Sequence, residues 1–129
     1  MAEYRVLLVD DEEEFVSALS ERLMLRGIEV DSALNGEEAL ARLVEKEFEV
    51  VILDVMMPGL GGLEVLRQIK STHPDTQVIL LTGHGSTREG IEGMRLGAFD
   101  YLIKPVDIEE MLEKMKEAAK TVGTGRSHG

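Results

Sequence analysis

Residues 49 to 59 read Glu49-Val50-Val51-Ile52-Leu53-Asp54-Val55-Met56-Met57-Pro58-Gly59. A short apolar run, rich in β-branched residues, meets a carboxylate and then a Pro-Gly turn. An apolar run of this length, closed by turn residues, is the pattern of a strand buried on both faces. It puts Asp54 at the carboxyl end of a central strand, the edge at which open parallel sheets bind ligands. Aspartate is also a common turn residue, so Asp54 alone assigns nothing. Its company does.

Upstream, Tyr4-Arg5-Val6-Leu7-Leu8-Val9 is a strand closed by Asp10-Asp11. Glu12, Glu13 and Glu14 suit the first turn of a helix, where the dipole favours negative charge. Phe15, Val16, Leu19 and Leu23 carry that helix to about Arg26, where Gly27 stops it. Ile28-Glu29-Val30 reads as a second short strand. Asn35 is an N-cap with Glu38 three residues on, and Leu40, Leu43 and Val44 form the stripe of the second helix.

Downstream, a third helix covers about residues 63–70, with Leu63, Leu66 and Ile69 inward. Val78-Ile79-Leu80-Leu81 is a buried strand that ends at Thr82-Gly83-His84-Gly85. Ser86-Thr87-Arg88-Glu89 has the form of a capping box and opens a fourth helix bearing Ile91 and Met94. Tyr101-Leu102-Ile103 is a fifth strand, followed by Lys104-Pro105. Asp107 caps a last helix whose stripe is Ile108, Met111, Leu112 and Met115, a methionine-rich core face. Residues 1–120 form one domain, and the Gly-rich residues 121–129 read as a flexible tail or the start of a linker. Five strand–helix units in alternation imply an α/β fold, a mostly parallel sheet with helices on both faces.

Composition narrows the function. A chain of 129 residues is one domain by length. It has no cysteine, which excludes disulfides and thiolate metal sites. The net charge of −11 repels phosphate backbones and anionic lipid, so neither direct nucleic-acid binding nor a membrane partner is expected. No run approaches membrane-spanning length and no signal pattern is present, so a cytoplasmic location is expected.

If the strands are parallel, their carboxyl ends share one edge. Asp10 and Asp11, Asp54, Thr82 and Lys104 then converge. Two like charges about 5 Å apart repel by roughly 3 kcal/mol at an effective dielectric near 20. Three acids therefore need a cation or strongly raised pKa values, and one lysine only partly balances them. Oxygen ligands without imidazole or thiolate point to a hard ion, most simply Mg²⁺. A divalent ion, a lysine and a hydroxyl around a nucleophilic carboxylate suit phosphoryl transfer. Each residue also has an ordinary reading: Asp11 as a helix cap, Thr82 as a strand end, Lys104 and His84 as loop residues. Those readings do not explain why all of them fall at matched strand ends.

These motifs carry a resemblance. Val-Asp-Asp at 9–11, Leu-Asp-Val-Met-Met-Pro-Gly at 53–59, Leu-Thr-Gly-His-Gly at 81–85 and Gly-Ala-Phe-Asp-Tyr-Leu-Ile-Lys-Pro at 97–105 resemble the CheY-like receiver domains of two-component response regulators. The resemblance covers about residues 4 to 120. It implies a doubly wound (βα)5 flavodoxin-like fold with strand order 2-1-3-4-5. It implies that Asp54 accepts a phosphoryl group from a sensor histidine kinase or phosphotransfer protein. Asp10, Asp11, Asp54 and the Met56 backbone carbonyl would hold Mg²⁺. Thr82 and Lys104 would contact the phosphoryl group, and Lys104–Pro105 would be a cis peptide. Thr82 and Tyr101 would act as the switch that remodels the face of helix four, strand five and helix five. Met56, Gly83 and His84 would tune the phosphoryl lifetime. A downstream output domain or protein and a phosphorylation-dependent homodimer are the implied partners. One departure is Gly61, where many relatives have an aspartate at the start of the third helix; a softer helix start is expected.

Other classes remain in view. An aspartyl-phosphate phosphatase of the haloacid-dehalogenase type needs an acid two residues after the nucleophile, where this chain has Met56. A nucleotide-binding module needs a Gly-rich phosphate loop, and none is present. A receiver fragment of a longer transcription regulator and a phosphate-independent interaction module stay open. The favoured reading is a switch that catalyses its own phosphorylation and no external reaction, with its own dephosphorylation left open.

Overall fold

A computed structural model describes residues 4–83 and 87–128, with side chains at Thr87 and from Val122 onward left aside. The expected helix cap at Ser86 and the tuning position His84 lie outside the described residues. The elements alternate throughout: β1 (Arg5–Val9), α1 (Glu13–Met24), β2 (Glu29–Ala33), α2 (Gly36–Glu45), β3 (Val50–Asp54), α3 (Gly62–Thr72), β4 (Gln77–Thr82), α4 (Thr87–Arg95), β5 (Asp100–Ile103) and α5 (Ile108–His128). All strand pairs are parallel, and the sheet order is β2-β1-β3-β4-β5. That is the flavodoxin-like order expected from the resemblance.

The central strand earns its place through composition. Every residue of β3 is buried, which suits a strand covered on both faces. Its alternate side chains feed two cores. Val51 and Leu53 join Leu7, Val9, Val78 and Leu80 against α2 and α3. Val50 and Ile52 join Val6, Leu8, Ile79 and Leu81 against α1 and α5. The Met stripe of α5 is core: Met111 and Met115 are fully buried.

Local signals place the helix ends. Asn35 Oδ1 accepts the Glu38 N–H at 2.7 Å, and Glu38 Oε1 accepts the Leu34 N–H at 2.8 Å. That is a capping box displaced by one residue at its return bond. Gly27, at φ +80, turns the chain out of α1.

Three expectations shift. The second strand lies at Glu29–Ala33 rather than starting at Ile28, because its pairing runs alongside β1 from Arg5↔Glu29 to Val9↔Ala33. Val44 is 82% exposed, and Ala39 joins Leu43 in the core of α2 instead. Finally, α5 continues past Lys120 to His128. The residues read as tail from 121 onward thus begin inside a helix, where Thr121 Oγ1 donates to the Glu117 carbonyl at 3.2 Å.

Candidate functional site

The register of the sheet brings the carboxyl ends of β1, β3 and β4 to one edge. Val9 pairs with Leu53 and Asp54 with Leu81, so Asp10 follows one strand where Asp54 ends the next. The first connection leaves β1 toward β2 and the third strand lies on the other side. The crevice between them is where open α/β sheets bind ligands.

Asp54 is 4% exposed and Asp10 is fully buried, whereas Asp11 lies in solvent. One carboxylate oxygen from each lies within 4.8 Å of the others. Backbone N–H groups fix two of the three. Asp54 Oδ1 accepts from Met56 at 3.1 Å, and Asp10 Oδ1 accepts from Glu12 at 2.9 Å. Lys104 arrives from the end of β5 through a cis peptide to Pro105. Its Nζ lies 2.7 Å from Asp10 Oδ2, 2.9 Å from Glu12 Oε1 and 3.8 Å from Asp54 Oδ2. It also sits 4.7 Å from the centroid of the Phe15 ring. Asp10 Oδ2 is close enough to Lys104 to be an ion pair but receives no directed hydrogen bond.

The charges are unevenly balanced. Burial pushes the Asp54 carboxyl up to about 6, the Asp10 charge adds to this, and Lys104 and the Met56 N–H oppose it. For Lys104, burial works to lower the pKa. The close pairing with Asp10, the hydrogen bond to Glu12 and the charge of Asp54 outweigh it and leave the pKa raised.

The donor set suits a hard divalent cation. Ligands on opposite sides of Mg²⁺ stand roughly 4.2 Å apart, close to the 4.8 Å spread of the three carboxylates. The buried Asp10 Oδ2 pairs with Lys104 without a directed hydrogen bond and keeps lone pairs that a cation could take. Asp10, Asp11 and Asp54 could therefore hold one.

Other expected site residues are less tightly joined. Thr82 is fully buried, but its hydroxyl donates to the Leu102 carbonyl at 3.3 Å. That bond directs it at β5. Tyr101 is half-buried against the α2–α3 core, with its ring beside Gly90 of α4. The Met56 side chain is 63% exposed at the rim, and Gly83 is half-buried.

Three residues at the site escape sequence reasoning. Glu12 and Phe15, read as helix acid and helix stripe, both contact the Lys104 ammonium. Gly62 starts α3 hard against the end of β3. A Cβ there would lie 2.6 Å from Val55 Cα and would collide with the Asp54 carbonyl oxygen. The paired glycines at 61–62 were the available signal.

Comparison with known proteins agrees with this geometry. Residues 6–116 match the response regulator receiver domain family. The chain is 41% identical over 124 residues to YkoG of Bacillus subtilis, named an uncharacterized transcriptional regulatory protein, covering 96% of this chain and 54% of that protein. It is 42% identical over 112 residues to the response regulator MprA of Mycolicibacterium vanbaalenii, covering 87% of this chain and 48% of that one. It thus spans about half the length of these relatives. Among solved structures, a response regulator receiver domain protein from Clostridium thermocellum superimposes with a TM-score of 0.87 at 36% identity, over 91% of this chain and 94% of that chain. A parallel sheet in this order, an acidic cluster at its β1–β3 crevice and a match over most of the chain lead to one assignment: this chain belongs to the response regulator receiver domain family.

Proposed function

We propose that Asp54 is the phosphoacceptor of a signalling switch. The observation that carries this reading is a buried carboxylate at the end of the central strand, held by the Met56 N–H beside two further acids and one lysine. In the step, an Asp54 oxygen attacks phosphorus of a phosphohistidine on a sensor kinase or phosphotransfer protein. The P–N bond breaks, and the leaving imidazole keeps the electron pair and takes a proton. Asp10, Asp11, Asp54 and the Met56 carbonyl would hold Mg²⁺, which would supply positive charge to the phosphoryl oxygens. Lys104 neutralises charge on the same group.

The switch would start from the present contacts of Thr82 and Tyr101. The Thr82 hydroxyl would leave the Leu102 carbonyl and donate to the phosphoryl group. Tyr101 would turn inward behind it. The face of α4, β5 and α5 would then change, where Ile91 and Ile103 are exposed. Met56, Gly83 and His84 would set the phosphoryl lifetime. The reader of that face is an output domain or protein, or a second copy of the chain. Likeness to a protein named as a transcriptional regulator favours an output in gene control. The setting is cytoplasmic, and among the described residues no helix is long and apolar enough to cross a membrane.

Intact mass after incubation with Mg²⁺ and acetyl phosphate tests this. A single phosphoryl-sized gain is expected in the wild type. It should require Mg²⁺ and vanish in Asp54→Asn. A gain that survives in the mutant moves the acceptor elsewhere. No gain in folded wild type, with acetyl phosphate or a histidine kinase, leaves a phosphate-independent module.

A further inference from the structure

The first turn of α1 holds the active-site lysine from outside the acidic cluster. Glu12 is the N-cap of α1, yet its side chain makes no capping bond. Its backbone N–H donates to Asp10 Oδ1, which fixes the residue at the rim of the site. Its carboxylate, 65% exposed, instead accepts from Lys104 Nζ at 2.9 Å. Phe15, one turn on, presents its ring to the same ammonium at 4.7 Å, a distance typical of cation–π attraction. Two acceptors and a ring thus draw Lys104 toward β1 and α1, and it stands 3.8 Å from Asp54 Oδ2.

An ammonium has three donors and no acceptor. Asp10, Glu12 and the Phe15 ring already engage this ammonium and draw it to one side, so donation to a group on Asp54 competes with them. Asp10 belongs to the set that could hold a cation, and a cation there would take the lone pairs that Lys104 uses. Glu12 is not part of that set. It would therefore be the acceptor left competing with the phosphoryl group.

We propose that Glu12 is a positioning residue, which with Phe15 keeps the Lys104 ammonium on the α1 side of the site and competes with the Asp54 phosphoryl group for it. This inference rests on Asp54 being the phosphoacceptor. Because Glu12 is exposed, water can replace it and the exchange is easy. An exposed ion pair of this kind is worth roughly a two- to five-fold change in an equilibrium constant.

Beryllofluoride with Mg²⁺, an inorganic mimic of the phosphoryl group, gives the measurement. Its affinity is compared in the wild type, Glu12→Gln and Glu13→Gln. Glu13 shares the first turn of α1 and is exposed, and it serves as the charge-matched control. Glu12→Gln is expected to tighten binding about two- to five-fold, and Glu13→Gln by less than half as much. Equal tightening in both would show a through-space charge effect and overturn the proposal. Unchanged or weaker binding in Glu12→Gln would also overturn it.

A second readout needs neither metal nor phosphate. The Lys104 ammonium resonance, assigned with Lys104→Arg, should shift and exchange faster with water in Glu12→Gln and stay in place in Glu13→Gln. An unmoved resonance would remove the contact on which the competition depends. If the wild type binds no beryllofluoride, the phosphoacceptor reading falls and the competition with it. The metal-free resonance then still judges the Lys104–Glu12 contact alone.

Discussion

At neutral pH Asp54 is ionised in a place that resists its charge. Burial and then Asp10 push its pKa up to about 6 from the ordinary 3.8. Between those values the folded chain binds a proton that the unfolded chain has lost, so stability falls as pH rises through this window and the penalty is complete above it. Asp54→Asn removes the penalty. Without metal, the variant should be about 2 to 3 kcal/mol more stable than the wild type at pH 7.5, and the two should converge near pH 4. Urea unfolding at both pH values checks this, and a constant gap would contradict the electrostatic origin. An ion held at Asp54 would compete with the proton for the same oxygens, so Mg²⁺ affinity should rise as pH climbs from 5 to 7. Asp10, Asp54 and Lys104 were legible in the sequence because each stands where an apolar run stops. Glu12 was not, since the helix dipole accounts for Glu12, Glu13 and Glu14 alike. The direction of the Thr82 hydroxyl was equally hidden, because residue type does not encode which carbonyl a rotor finds.

The start of α3 shows how an element can be essential to a site it does not line. Gly61 attracts attention in the sequence because it replaces a capping aspartate, yet a Cβ at Gly61 would meet nothing within 4 Å. Gly62 is the residue with no room. Its Cβ would overlap the backbone of Asp54 and Val55, atoms that cannot swing aside as a long side chain can. Gly62→Ala should therefore cost about 1 to 3 kcal/mol, the range for overpacking. It should also slow phosphorylation by acetyl phosphate more than tenfold, because β3 must move to admit it. Gly61→Ala should leave both within experimental error. Equal effects at the two positions would mean that backbone freedom, not space, sets the requirement. On α2 the signal and the structure agree, so Asn35→Ala should lose about 1 kcal/mol in urea unfolding. The difference is physical. A cap is a local bond among neighbours in the chain and can be read from spacing, whereas close approach depends on how α3 docks on β3. For the same reason Val44 fits a helical stripe but is exposed: periodicity gives the apolar side of α2, and the sheet determines how wide a strip it covers.

Across the whole molecule, alternation of strand and helix sufficed to predict a parallel sheet. The strand order came only with the family resemblance, because order depends on which side of the sheet each crossover takes. That order places three acids at one crevice in a chain that already carries a net charge of −11. Self-repulsion acts over the whole surface and any salt screens it, whereas the crevice is a local excess of charge that Lys104 offsets in part and a bound ion would offset further. The two can be separated by heating. Mg²⁺ at ten times its dissociation constant should add about 1.4 kcal/mol through binding to the folded state alone, or roughly 3 to 6 °C in Tm for a domain of this size. NaCl at matched ionic strength should give a smaller rise from screening. In Asp10→Asn the surplus of Mg²⁺ over NaCl should fall by more than half, because a buried ligand of the cluster is gone. If the surplus survives in Asp10→Asn, the ion is held elsewhere. If Mg²⁺ and NaCl act alike in the wild type, Mg²⁺ serves only as a diffuse counterion, and Lys104 alone balances the cluster.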